Sequence, residues 1–139
     1  MRWAAAKGIG RITSRLDLTM ADDVVNAIFQ IMNFDINEHN WHGCCLTLAE
    51  LSRRGLLLPN RLDQAFNVLH KALLFDENKG NFSSGANVRD AACYVAWAFA
   101  RAFDPLILQD YQVDLAKTLL KVTLFDREIN CRRAASAAF

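Results

Sequence analysis

Residues 87–101 read NVRDAACYVAWAFAR. Ten apolar residues in a row, Ala91 to Ala100, lie between Asp90 and Arg101. A bilayer span needs about 20, so the run falls well short of one. Five of the ten are Ala, the strongest helix former, and the stretch predicts a helix over 88–103. A helix that is apolar almost all round is covered on both sides.

The opening of this stretch recurs. Met1 begins MRWAA, Trp41 begins WHGCC, Val88 begins VRDAA and Cys131 begins CRRAA. Each has a hydrophobic residue, then Arg or His, a variable position, and two small residues. The intervals are 40, 47 and 43 residues, which fits stacked helix pairs of roughly 40–47 residues per unit. Asn40, Asn87 and Asn130 precede the last three and read as N-caps, since an Asn side chain accepts an N–H that the first turn leaves free. Asp90 adds negative charge in the same turn, where the helix dipole favours it. The small pairs let a neighbouring helix approach closely. Inner helices are therefore expected near 1–15, 41–54, 88–103 and 131–139.

A second element alternates with the first. Phe34-Asp35, Phe75-Asp76 and Phe125-Asp126 each close an amphipathic segment, predicting outer helices over 20–34, 61–75 and 107–125. Thr19 with Asp22, and Asn60 with Asp63, resemble capping boxes at the first two. The expected fold is all-α: an α-solenoid of stacked antiparallel helix pairs, half a unit followed by three pairs, forming one segment over 1–139. DENKGNFSSGA, residues 76–86, reads as an exposed insertion. Met1 occupies the hydrophobic position of the repeat and Phe139 falls inside the last inner helix. Solenoid ends normally carry polar caps, so the expectation is a fragment of a longer solenoid.

The 20 Ala and 18 Leu against only 6 Gly and 2 Pro suit helices. Sixteen basic and 15 acidic residues give a net charge of +1, which disfavours nucleic acid as a partner. MRWAAAKGIGR lacks the apolar core of a signal peptide, so membrane insertion is not expected and the cytoplasm is the default location. Cys44, Cys45, Cys93 and Cys131 form no CxxC pair and read as reduced thiols. Gly8 and Gly10 lack the rest of a phosphate-binding fingerprint, and no GxSxG or HExxH occurs. No cofactor is implied.

Few side chains stand out as candidate sites. Lys7, Arg11 and Arg15 recur every four residues, which lines them along one helix stripe, and the first fifteen residues contain no acid. The stripe is either a solvated face or a surface for an acidic partner. Arg53-Arg54-Gly55 suits a helix C-terminus by charge and by the left-handed cap glycine permits; an arginine finger would need an exposed Arg beside bound nucleotide. His39, His42, Cys44 and Cys45 cluster within seven residues. Cys44 and Cys45 diverge by about 100° on a helix, which favours packing over zinc. Trp3, Trp41, Trp97, Phe99 and Phe103 read as core or inter-unit packing. No carboxylate pair can be placed at catalytic separation.

The Val-Arg-x-Ala-Ala type start resembles the HEAT repeats. Asp126 and Arg132 sit as the Asp and Arg of that family, whose side chains form a ladder between units; Asp76 and Arg89 are separated by the insertion, and His42 replaces Arg. Four longer blocks, RWAAAKGIGR (2–11), WHGCCLTLAELSRRGLLLP (41–59), NVRDAACYVAWAFAR (87–101) and FDREINCRRAASAAF (125–139), resemble in order and spacing the cofactor D family of tubulin-folding chaperones. That resemblance implies a non-catalytic scaffold that binds β-tubulin, assembles the αβ heterodimer with cofactors C and E and α-tubulin, and pairs with an ADP-ribosylation-factor-like small GTPase. With those cofactors it implies GTPase-activator function on tubulin, and a cytoplasmic, cytoskeleton-associated location. A generic HEAT scaffold of the transport-receptor or phosphatase-subunit type is the alternative.

Overall fold

A computed structural model describes residues 1–139. Seven helices follow one another: α1 (Arg2–Thr13), α2 (Leu18–Phe34), α3 (Glu38–Arg53), α4 (Leu62–Leu73), α5 (Ala86–Ala102), α6 (Pro105–Phe125) and α7 (Ile129–Ala138). A single 3₁₀ turn, Pro59–Arg61, leads into α4. They build the expected α-solenoid in two layers. The inner helices α1, α3, α5 and α7 lie side by side, and α2 packs on α3, α4 on α5, and α6 on α7. Each pair is thus an outer helix with the inner helix that follows it, and α1 is the half unit at the start.

The helix starts differ from the expected caps. Asn37, not Asn40, caps α3 by accepting the N–H of His39, while Asn40 lies inside the helix and donates to Asp35. Gly85 precedes α5 and Glu128 precedes α7, neither with a side-chain cap, so Asn87 and Asn130 also fall within helices. Asp17 rather than Thr19 caps α2 by accepting from Met20. Asn60 lies in the 3₁₀ turn and Arg61 precedes α4 without capping it. The apolar stripes marked where burial begins, but α2, α3, α5, α6 and α7 start two or three residues earlier than the stripes suggest, while α1 and α4 start one residue later.

The small columns do what their size suggests. Cys44, Cys45, Ala91, Ala92 and Ala135 are buried, and α3 against α5 is the most extensive helix contact. Backbones approach closely because these side chains occupy little volume. Ala4 and Ala5, at the same column of the first unit, are exposed. Val88, Val95, Phe99, Leu51 and Leu73 complete a single core running between the layers.

The insertion is exposed over residues 78–82, as expected, and is also pinned to the stack. Glu77–Asn78 pairs antiparallel with Ser83–Ser84, and the backbone N–H of Glu38 donates to Glu77 Oε2 at 3.1 Å. Asn87 donates to Glu38 Oε1 at 3.1 Å. Burial raises the Glu38 carboxyl, but hydrogen bonds, that of Asn87 among them, and the Lys79 charge outweigh it and hold it below its ordinary value. The hairpin therefore closes over the start of α3. Gly85 is the hinge: its φ is +143°, and a Cβ there would lie 2.6 Å from the Phe75 carbonyl oxygen. Gly85→Ala is expected to destabilise the hairpin and the first turn of α5 by about 1–3 kcal/mol, read as faster amide hydrogen exchange over residues 76–90; unchanged exchange would mean the backbone adapts.

The ladder between units differs from the expected one. Arg89, 6% exposed, donates from Nε and Nη2 to the two carboxylate oxygens of Asp126 at 2.6 and 3.1 Å, and from Nη1 to the Phe75 carbonyl at 2.9 Å. The insertion does not remove it from the ladder, because the hairpin leaves and returns on the same side. Arg132 instead donates to the backbone carbonyl of Asp126. In the column of Arg89, His42 makes no carboxylate pair and its Nδ1 lies 3.2 Å from Arg2 Nη1. The ladder is complete at one junction.

Candidate partner-binding surface

Along α5, residues 90, 94, 97 and 101 follow one another at spacings of four, three and four, so they share one stripe. The stripe is Asp90, Tyr94, Trp97 and Arg101; Asp90, Trp97 and Arg101 are exposed, and Tyr94 is half-buried against the edge of the core. Trp97 is 38% exposed, although the residues flanking it, Ala96 and Ala98, are buried. Trp97 stacks on Tyr94 with ring centroids 5.6 Å apart and planes at 17°. Tyr94 in turn meets Trp3 of α1 at 5.3 Å. The guanidiniums of Arg53 and Arg101 each lie 5.8 Å from the Trp97 ring centroid, and Arg53 donates to the Tyr94 hydroxyl at 3.0 Å. α1 and α5 thus contribute one aromatic row, and α3 and α5 the cations laid against it.

Trp41 and Phe99 are buried, as read from sequence, and Phe103 is half-buried. Trp3 and Trp97 answer to the inter-unit half of that reading: at 43% and 38% exposure they lie outside the core, and they meet Tyr94 and Arg53 of other units. The signal was available in the α5 spacing, which repeats every three to four residues from Asp90 to Arg101. It was hidden because Trp97 is surrounded by apolar neighbours in sequence.

The expected basic stripe is shorter than the spacing suggested. Lys7 and Arg11 are exposed on α1, and Lys7 lies over the Trp3 ring at 5.3 Å. Arg15 lies beyond the end of α1, which is capped by Ser14, so it does not continue the helical stripe. None of the three has an acidic partner within ion-pair distance. Arg54 is paired with Glu50 at 2.8 Å. Cys44 and Cys45 are buried in the core cluster, and burial pushes the Cys44 thiol up to about 11. His39 and His42 flank Arg2. No three His, Cys, Asp or Glu side chains converge as a metal site. A groove of about 770 Å³ runs past Arg2, Trp3, His42, Asp90 and Tyr94 along the same inner face. Desolvation holds Asp90 above its ordinary pKa there, partly offset by His42. No helix is long and apolar enough to cross a membrane.

The family model described as tubulin-specific chaperone D-like, ARM repeats, matches residues 1–139. The chain belongs to this family. Among its relatives, tubulin-specific chaperone D of Dictyostelium discoideum is 49% identical over 145 residues, which takes in all of this chain and 10% of the relative. Tubulin-folding cofactor D of Schizosaccharomyces pombe is 34% identical over 152 residues, covering 99% of this chain and 14% of the relative. The chain therefore spans about a tenth to a seventh of the length of these chaperone D relatives. No solved structure matches it. The ARM-repeat description agrees with the two-layer stack, and the tubulin-folding relatives agree with the resemblance of the four sequence blocks.

Proposed function

We propose that this chain is a segment of a tubulin-folding chaperone scaffold that binds β-tubulin and takes part in assembly of the αβ heterodimer. The observation that carries the reading is the match of the chaperone D-like model to every residue of the chain, together with 49% identity to a relative of that name. A solenoid suits the task because stacked repeats present a long surface to a large client. Cofactors C and E with α-tubulin, and an ADP-ribosylation-factor-like small GTPase, are the further partners under this reading. GTPase activation on tubulin would be shared with those cofactors, and the work of this segment would be non-covalent. Residues 76–86 contain neither Arg nor Gln, and Arg54 is tied to Glu50. Lys7, Arg11 and Arg15 are proposed as contacts to tubulin, because they are exposed cations without acidic partners. The proposed location is the cytoplasm, in association with the cytoskeleton.

The test is capture of nucleotide-bound β-tubulin by the full-length protein and by the same protein lacking residues 1–139. Loss of capture, with circular dichroism showing the remainder folded, is the expected result. A Lys7→Glu/Arg11→Glu/Arg15→Glu variant is expected to lose part of the capture, more at low salt than at high salt. Retained capture by the deletion overturns a tubulin contact in this segment, and no capture by the full-length protein leaves the generic scaffold.

A further inference from the structure

We propose that the inner-helix surface around Trp97 is a docking site for an acidic polypeptide segment that carries apolar side chains between its carboxylates. Charge is the first ground. At or near the surface the inner helices carry Arg2, Lys7, Arg11, Arg53, Arg101, Arg132 and Arg133 against Asp90, while Arg89, Glu38 and Glu50 are buried. The outer helices reverse the balance, with Lys71, Lys117 and Lys121 against Asp22, Asp23, Asp63, Asp110 and Asp114. A chain of net charge +1 thus places its surplus of cations on one layer.

The second ground is how the cations are held. Arg53 and Arg101 stand in the last turns of α3 and α5, where the helix dipole alone favours a cation. The dipole does not explain why both guanidiniums lie against one exposed Trp. Arg101 has no carboxylate partner, and Arg53 reaches Glu50 only at 3.8 Å. Stacking fixes the plane of a guanidinium while leaving N–H donors along its edge, the arrangement that meets carboxylates two bonds at a time. Pre-ordering on Trp97 lowers the entropy lost when a partner binds.

The third ground is a hollow of about 220 Å³ beside the same ring, between α5 and α7. Cys93, Tyr94, Trp97, Ala134, Ala137 and Ala138 line it with Asp90 at one end. It accepts a modest apolar side chain. Tyr94 stacks on Trp97 and two guanidiniums lie 5.8 Å from its ring centroid, so a nucleobase stacking there would compete with all three. A peptide with carboxylates at the Arg edges and an apolar residue in the hollow uses what remains open.

The inference names the chemistry of a partner and does not depend on that partner being tubulin. Its test is fluorescence anisotropy of a labelled peptide of alternating Glu and Leu on the full-length protein, with a Lys–Leu peptide and a single-stranded RNA of similar length as comparison probes. Arg53→Glu/Arg101→Glu is expected to weaken the Glu–Leu peptide by about tenfold or more, with added salt weakening the wild-type complex. Lys117→Glu/Lys121→Glu, on the outer layer, is expected to leave affinity within about twofold. Arg53→Lys/Arg101→Lys keeps the charge but loses the planar guanidinium and its paired donors, and is expected to fall between. Circular dichroism and melting of each variant separate a lost site from a lost fold. No binding of the Glu–Leu peptide, equal loss in both reversal pairs, or RNA binding as tight as the peptide overturns the proposal. β-Tubulin capture by the same variants is scored separately: peptide binding without capture removes tubulin as the client and leaves this site standing.

Discussion

Arg89→Met is expected to lower the stability of the α5–α7 region by about 3–5 kcal/mol, because it leaves a buried carboxylate without its counter-ion. The side chains of Arg89 and Asp126 are 7% and 5% exposed. Arg89 joins three places that are distant in sequence: its own helix, the carbonyl of Phe75 after α4, and the carboxylate of Asp126 after α6. Met fills much of the same volume but satisfies neither acceptor. The intact pair itself adds less than this loss suggests, since desolvating two charges offsets much of their attraction. Arg89→Met/Asp126→Leu is therefore expected to recover most of the loss. The measurement is native-state hydrogen exchange in the full-length protein, followed by peptides from residues 86–138. A single variant with unchanged protection would show that water reaches Asp126.

The same pair sets an acid limit. Burial raises the Asp126 carboxyl, but donation from Arg89 and from the Glu128 N–H outweighs it, so the group ends below its ordinary 3.8. The Asp22 carboxyl is also lowered, first by its hydrogen bond from Arg61. A carboxyl whose folded pKa is depressed contributes its stability above its unfolded pKa and loses it as pH falls toward the folded one. Protection of this region is thus steady above the ordinary carboxylate range and falls below it.

The repeat was legible because stacked units use the same columns. Two small residues after an apolar one fall inside α3, α5 and α7, whose helices start two or three residues before that pattern, and the Phe-Asp closures marked the ends of α2 and α6. Those closures do not share a role. Phe75 is buried while Phe34 and Phe125 are 90% and 78% exposed, since only Phe75 is covered by Trp41, at 5.2 Å between centroids. Caps were not legible: Asn37 and Asp17 each compete with another Asn, Asp or Thr within a few residues, and local spacing does not rank them. The insertion reads as exposed because its composition is that of a loop, and residues 78–82 are exposed. Its anchor is the N–H of Glu38, and a tertiary backbone contact leaves no mark in composition.

The surface was only partly legible. Lys7 and Arg11 could be found by spacing because α1 bears no acid. Trp3 and Trp97 read as core or inter-unit packing, because aromatic residues in an apolar run are buried more often than not. What decides otherwise is the angular position on α5. Val95, Ala96, Ala98 and Phe99 turn inward, and the stripe from Asp90 to Arg101 turns out.

Phe99→Ala is expected to cost about 3–5 kcal/mol, the range for removing a fully enclosed aromatic ring. Phe99 is 0% exposed. Its ring meets Phe66 of α4 at 5.3 Å and 61°, and Phe103 at 6.1 Å and 84°. Phe66 stacks in turn on Tyr111 of α6 at 4.3 Å, and Tyr111 donates to Asp63 on α4. Removing Phe99 therefore loosens α4, α5 and α6 together. In a stack where each unit is held by its neighbours, such a defect weakens the junction it sits in more than distant ones. Hydrogen exchange of the full-length variant is expected to rise in α4 through α7 and to change little in α1 and α2. Phe125→Ala, an equal change in size at an exposed position, is expected to stay within about 0.5 kcal/mol of wild type. Equal effects from the two would mean that the exposed end of α6 is packed against another part of the full-length protein. Uniform loss of protection from α1 to α7 in Phe99→Ala would mean that the segment opens as one cooperative unit.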